Sequence, residues 1–215
     1  MVHELIKQHS VFNQFIKEIR DESIQKDRMR FRRNLERAGE ILAYEISKTF
    51  DYVTEEVTTS LGVAEVNVPA TSPLICSIMR AGLPMHQGFL NYFDAADSGF
   101  IAAYRKHHKG GNFEIEVDYI SCPNIEDRTV ILVDPMLATG ASIEMVYKEL
   151  LTKGKPAHVH IASLIATDTG IRHVKSKLPQ NITVWVGAID KELTAQSYIV
   201  PGLGDAGDLA YGGKS

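Results

Sequence analysis

From Leu74 to Ala188 the chain repeats one pattern: a short run rich in Val, Ile and Leu, a polar turn, then a segment of helical period. The apolar runs Leu74–Met79, Phe100–Tyr104, Val130–Val133, Val159–Ile165 and Ile182–Ala188 are too short for core helices and continuous enough to be buried on both faces. Between them, helices are predicted near Pro84–Tyr92, over Ile143–Leu151 and near Thr169–Lys177. Strands of this kind alternating with helices make an α/β fold, with a mainly parallel sheet flanked by helices on both faces. In such sheets ligands sit beyond the carboxyl ends of the strands. The first fifty residues read as helical, with Phe31, Leu35, Ala38, Leu42 and Ile46 recurring at steps of three and four on one face. Thr54–Val68 alternates around Gly62 and predicts a small hairpin.

At 215 residues, one domain over 1–215 is expected, with one sizeable core. A hydrophobic content of 44% and a charged content of 23% are those of an ordinary globular chain. The net charge of −4 argues against a general nucleic-acid binder. No apolar run is long enough to cross a bilayer, and the start MVHELIKQHSVF lacks the basic-then-apolar order of a signal peptide. Cys76 and Cys122 give no disulfide framework, so reduced thiols and a cytoplasmic location are expected.

Thr129–Ser142, TVILVDPMLATGAS, carries the most chemistry. A strand ends in Asp134, a short Thr/Gly/Ser loop follows, and a helix begins. Unpaired N–H groups where a loop opens a helix can hold a phosphate, while the neighbouring carboxylate can accept hydrogen bonds from sugar hydroxyls. A plain strand–turn–helix with a Gly turn remains the competing reading. The spacing is not that of a Walker A loop, and no Lys is present to reach a phosphate. Ile78–Leu83, IMRAGL, stands between another strand and helix, with Arg80 either a bidentate anion ligand or a surface cap of the turn. Tyr104–Ile120 reads as a hairpin with a polar tip that includes His107, His108 and Lys109. Arg105 stands at its base, as a ligand or as a solvated cation. The tail YIVPGLGDAGDLAYGGK shows no helical or strand period. Its Gly residues expose main-chain donors and acceptors suited to a flat heterocycle, or else leave a disordered terminus.

Two further groups carry charge or metal-binding chemistry. His158 and His160 share a strand face and could form half a metal site, with packed or solvated histidines as the alternative. Arg28, Arg30, Arg32, Arg33 and Arg37 make a basic helix start. This reads as a solvated face or subunit contact, with an effector-phosphate site or an RNA contact as sharper options.

IMRAGL, VDPMLATGAS and YIVPGLGDAGD, in that order, resemble the type I phosphoribosyltransferases, and the Asp-Pro loop and the tail are similar to the uracil phosphoribosyltransferases. The resemblance implies the type I phosphoribosyltransferase fold, with a flexible β-hairpin flap (about 104–120) and a C-terminal base-binding hood (about 189–215). It implies transfer of phosphoribose from 5-phosphoribosyl 1-diphosphate (PRPP) to uracil, giving UMP and diphosphate. Arg80 and Arg105 would hold the diphosphate. Asp134, Pro135, Met136, Leu137, Ala138, Thr139, Gly140, Ala141 and Ser142 would hold the ribose phosphate. Uracil would be read by the main chain of Ile199 and Gly204–Ala206, walled by Tyr198. Asp205 would face PRPP through water on Mg²⁺, and Arg80, Arg105 and Asp205 would be the catalytic set. The family loop usually has a second acid where Pro135 stands and a Gly where Ala141 stands. A homodimer or higher oligomer and a GTP effector are also implied, with no nucleic-acid or membrane partner. The rival reading is a non-catalytic sensor of UMP or PRPP with the same fold.

Overall fold

The computed structural model of the chain describes residues 1–107 and 113–213, with no side chains described for 104–107 and 113–116. Eight strands form one sheet: β1 (Val2–Glu4), β4 (Leu74–Met79), β5 (Asp97–His107), β6 (Phe113–Ser121), β7 (Thr129–Val133), β8 (Met136–Leu137), β9 (His158–Thr167) and β10 (Ile182–Asp190). Their spatial order is β1-β10-β9-β7-β4-β5-β6, with β8 paired beside β9. All pairings are parallel except β5 with β6. A separate antiparallel hairpin joins β2 (Tyr52–Thr58) to β3 (Val63–Pro69), and a two-stranded patch joins β11 (Glu192–Leu193) to β12 (Ile199–Val200).

Six α-helices complete the described chain: α1 (Phe12–Arg20), α2 (Arg28–Ser47), α3 (Leu83–Leu90), α4 (Ala141–Leu150), α5 (Asp168–Lys177) and α6 (Ala206–Tyr211). The strand alternation sorts them into two layers, because successive side chains leave opposite faces of the sheet. Ile131 and Val133 of β7 join Phe31, Leu35 and Leu42 of α2 and Met85 and Phe89 of α3 in one core. Val130 and Leu132 join Ile143, Val146 and Leu150 of α4 and Ile171 and Val174 of α5 in the other. Phe31, Leu35, Ala38, Leu42 and Ile46 are all buried, as their period requires.

The topology also fixes where a ligand can enter. From β4 the chain winds through α3 to β5 in one direction, and from β7 through α4, β9 and α5 to β10 in the other. The adjacent strands β4 and β7 therefore flank the point where the winding reverses, where a crevice opens beyond the strand ends. Ser77 lies opposite Val133 in their register, so Arg80 and Asp134 emerge side by side.

The N-terminal fifty residues are not wholly helical, because β1 adds a parallel edge strand to β10. Three residues are too few to show a period. The tail is not without structure either. It contains β12 and α6, each too short to register as periodic. The predicted hairpin tip at His108 and Lys109 lies outside the described residues. No helix among the described residues is long and apolar enough to cross a membrane. Cys76 and Cys122 are free thiols with sulfurs 3.8 Å apart.

Candidate active site

A cavity of about 690 Å³ occupies the crevice. It gathers Arg80, Asp134, Met136, Leu137, Ala138, Thr139, Gly140, Ser142, Tyr198, Ile199, Gly204, Asp205 and Ala206 from segments far apart in the chain. Of the predicted set, Pro135 and Ala141 do not line it, and the side chain of Arg105 is outside those described, though its backbone lies on β5 opposite Ile115.

The loop after β7 is shaped by a few contacts. The Asp134 carboxylate accepts from the Met136 N–H at 3.1 Å, and Pro135 turns its carbonyl onto the N–H groups of Leu164 and Ile165. Pro135 thus serves the sheet rather than the cavity. The buried Thr167 hydroxyl donates to the Ala138 carbonyl at 2.6 Å and accepts from the Gly170 N–H at 2.9 Å, tying the loop to the start of α5. Gly140 has φ +82°, a left-handed conformation that disfavours any side chain, and it begins α4 without a side-chain cap. By contrast α2, α5 and α6 are capped by Asp27, Thr167 and Asp205. The first N–H groups of a helix have no intrahelical partner. At α4 the Ala141 N–H donates to the Thr139 hydroxyl at 3.3 Å, while Ser142 and Ile143 stand on the cavity wall at the positive end of the helix dipole. Positive φ falls on Gly140, whereas Ala141 is the first helical residue, so its methyl costs the loop nothing there.

Behind this helix, Glu144 is gripped by Lys148 and by His173, both at 2.6 Å. Those two hydrogen bonds hold its carboxyl below the usual carboxylate range. The pair with His173 fastens α4 to α5.

The opposite wall is the C-terminal segment. Arg20 of α1 makes a bidentate pair with the buried Asp190 carboxylate, both contacts 2.8 Å, and also donates to the Gly202 carbonyl. Asp190 in turn accepts from the Gly202 N–H at 2.8 Å. This knot anchors the turn between Ile199 and Gly204 on the end of β10. Asp205 caps α6 by accepting from the Asp208 N–H at 2.9 Å. The Arg80 Nη2 donates to Asp208 Oδ1 at 2.9 Å and to the Gly212 carbonyl.

Sequence reasoning missed Asp208, along with Gln196, Ser197 and Gly207 on the cavity wall. One signal for α6 was available: Asp205 and Asp208 stand three apart, the spacing of an N-cap and the residue whose N–H it accepts. The basic start of α2 also finds its place. Arg30 pairs with Glu18, Arg33 with Glu36, and Arg37 lies over the Phe15 ring. Arg32 donates to the Ala210 carbonyl at 2.7 Å. Arg28, Arg30 and Arg33 are exposed, as a solvated face requires, and Arg32 ties α2 to the C-terminal helix.

His158 and His160 lie at the other end of the sheet, beside a smaller cavity of about 310 Å³. His160 is buried and accepts from the Trp185 indole N–H at 3.1 Å. Burial above all, then nearby His158 and His3, lowers its pKa to about 3, which keeps the ring neutral. Among the described residues no group of three or more His, Cys, Asp or Glu could hold a metal ion.

The crevice of this α/β fold pairs an anion-accepting helix start with a second, backbone-rich wall, an arrangement that can hold a phosphorylated small molecule. A family model described as uracil phosphoribosyltransferase matches residues 6–213. A uracil phosphoribosyltransferase of Porphyromonas gingivalis is 54% identical over 207 residues, covering 96% of each chain. One from Pyrococcus furiosus is 36% identical over 93% of this chain and 85% of its own. The solved structure of the AQ2163 protein from Aquifex aeolicus superposes with a TM-score of 0.87 at 29% identity, covering 99% of this chain and 98% of that one. The chain belongs to the uracil phosphoribosyltransferase family.

Proposed function

We propose that the protein transfers the phosphoribosyl group of PRPP to N1 of uracil, releasing diphosphate and forming UMP, a pyrimidine salvage step. The observation that carries the reading is the meeting, in one cavity, of an uncapped helix start beside Asp134, the Arg80 guanidinium and the main chain of Ile199 and Gly204–Ala206.

Binding follows from what each group can do. The loop Ala138–Ser142 takes the 5-phosphate on its N–H groups. Asp134 accepts from the ribose hydroxyls. Arg80 and Arg105 hold the diphosphate, whose charge grows as the C1–O bond breaks. Main-chain donors and acceptors of the C-terminal segment match the two carbonyls and the N3–H of uracil, with Tyr198 beside them. They hold N1 toward C1 as the new C–N bond forms, and N1 gives up its proton. Among the described residues no side chain is placed as a covalent nucleophile, so positioning and preorganised charge supply the rate. Closure of the Arg105 end of β5 and its partner β6 over the cavity would exclude water, the competing nucleophile.

Asp134, Asp205 and Asp208 are carboxylates on the cavity wall, yet among the described residues no group of three or more His, Cys, Asp or Glu could hold a metal ion, which suits a Mg²⁺ held chiefly by substrate oxygens and reached by Asp205 through water. When bound, the ion offsets charge on the diphosphate. The exposed Val57, Leu61, Val63 and Val66 of the β2–β3 hairpin support assembly into a homo-oligomer, and the free thiols suit a reducing cytoplasm. A GTP effector rests on family resemblance alone.

The test is incubation with PRPP, Mg²⁺ and labelled uracil, cytosine or hypoxanthine. UMP from uracil alone is the expected product. No transfer to any base would favour a sensor, and transfer to hypoxanthine would overturn the assignment of the base pocket.

A further inference from the structure

Arg80 does not reach the cavity as a free side chain. Both its Nη2 contacts, Asp208 Oδ1 at 2.9 Å and the Gly212 carbonyl, lie on α6 or just after it. The Arg80 Nε is buried without a partner, alongside Gly207. The rest of the guanidinium lies at the cavity wall, with the side chain 32% exposed. Asp208 is itself fixed, since its N–H is held by Asp205. The far end of α6 is fixed in turn by Arg32, which donates to the Ala210 carbonyl at 2.7 Å and lies over the Tyr211 ring at 5.9 Å. A chain of contacts therefore runs from α2 through α6 to Arg80.

We propose that Asp208 is a positioning residue: it holds one edge of the Arg80 guanidinium on the C-terminal helix so that the opposite edge faces the diphosphate of PRPP. The proposal rests on the function given above. A guanidinium is a planar fork, so fixing one edge aims the remaining donors and reduces the freedom lost when the anion binds. A carboxylate near a diphosphate also repels it. The two effects have opposite signs on affinity, which makes them separable. Asp208→Ala removes both the acceptor and the charge, whereas Asp208→Asn removes the charge and keeps an acceptor oxygen.

The experiment is titration calorimetry with PRPP and Mg²⁺ on the wild type, D208A, D208N, R80A and R80A/D208A, with steady-state kinetics for both substrates. D208A is expected to weaken PRPP binding about threefold to tenfold, less than the loss of a hydrogen bond to a charged group alone, because the repulsion removed with the carboxylate offsets part of it. D208N should restore binding to within about twofold of the wild type, and the double variant should bind no more weakly than R80A, because the two residues act as one unit. KM for uracil should stay within about twofold in D208A and D208N. Undiminished or tighter PRPP binding by D208A, a loss as large in D208N, full additivity with R80A, or an equal rise in KM for uracil would each overturn the proposal. PRPP binding by the wild type without UMP formation would remove the functional reading and leave the Asp208 comparison intact. No PRPP binding by the wild type would overturn both.

Discussion

The loop Asp134–Ser142 and the segment Tyr198–Gly212 face each other across one cavity, and they are held there by different means. The loop is fixed by its neighbours in the fold. It leaves β7, pairs briefly as β8 beside β9, and runs into α4 through a glycine that adopts the required positive φ. The C-terminal segment is held by ion pairs and hydrogen bonds from residues more than a hundred positions away: Arg20 to Asp190, Arg32 to Ala210 and Arg80 to Asp208. On the proposed function, a site divided in this way would grip the sugar phosphate with ordinary sheet architecture and leave the choice of base to a segment held from outside the sheet.

Breaking the long-range anchor should have the largest effect. Asp190→Ala leaves Arg20 partly buried without its partner, which costs about 3–5 kcal/mol of stability. Urea unfolding should show that loss, and KM for uracil should rise more than KM for PRPP in whatever folded protein remains. Removing Arg80 acts on the junction of the two walls. Arg80→Ala should lower kcat/KM for PRPP by about tenfold to a hundredfold, matching the loss of charge-assisted hydrogen bonds. Unchanged kinetics would take Arg80 out of the site.

Gly140→Ala attacks the loop alone. Its new methyl would sit at positive φ and 2.8 Å from the Gly170 carbonyl, so the loop must shift. A PRPP KM raised by about tenfold is expected, on a strain of about 1–2 kcal/mol, with little change in KM for uracil. The smallest effect concerns neither wall. His160 has a folded pKa of about 3 against an ordinary 6.5, so the unfolded chain binds more protons between those values and stability falls as pH falls through that window. Between pH 6.5 and 5.5 the loss should be about 1 kcal/mol from this group. A His160→Asn variant should show a shallower slope in denaturant melts, and PRPP binding should not follow it.

The same division explains what could be read from the sequence. The order of strands and helices, the exposed start of α4 and the position of Asp134 are encoded within about fifteen neighbouring residues, where apolar runs and turn chemistry act locally. Leu74–Met79 is a strand over those very residues because the run is apolar except at Ser77 and is buried or nearly so. By contrast β1 and α6 are three and six residues long, too short for a period to appear. The pairing of Arg80 with Asp208 spans 128 positions and depends on how α6 lies on α2. Among the arginines of α2, Arg32 finds its partners, the Ala210 carbonyl and the Tyr211 ring, at the other end of the chain, where no local pattern can signal them.

The central claim is that sugar phosphate and base are gripped by separate walls of one cleft. It is tested most directly by measuring KM for PRPP and for uracil in Gly140→Ala, with UMP formation as the readout. A PRPP KM raised about tenfold with a uracil KM within about twofold of the wild type is the predicted result. An equal rise in both, or a rise for uracil alone, would contradict it.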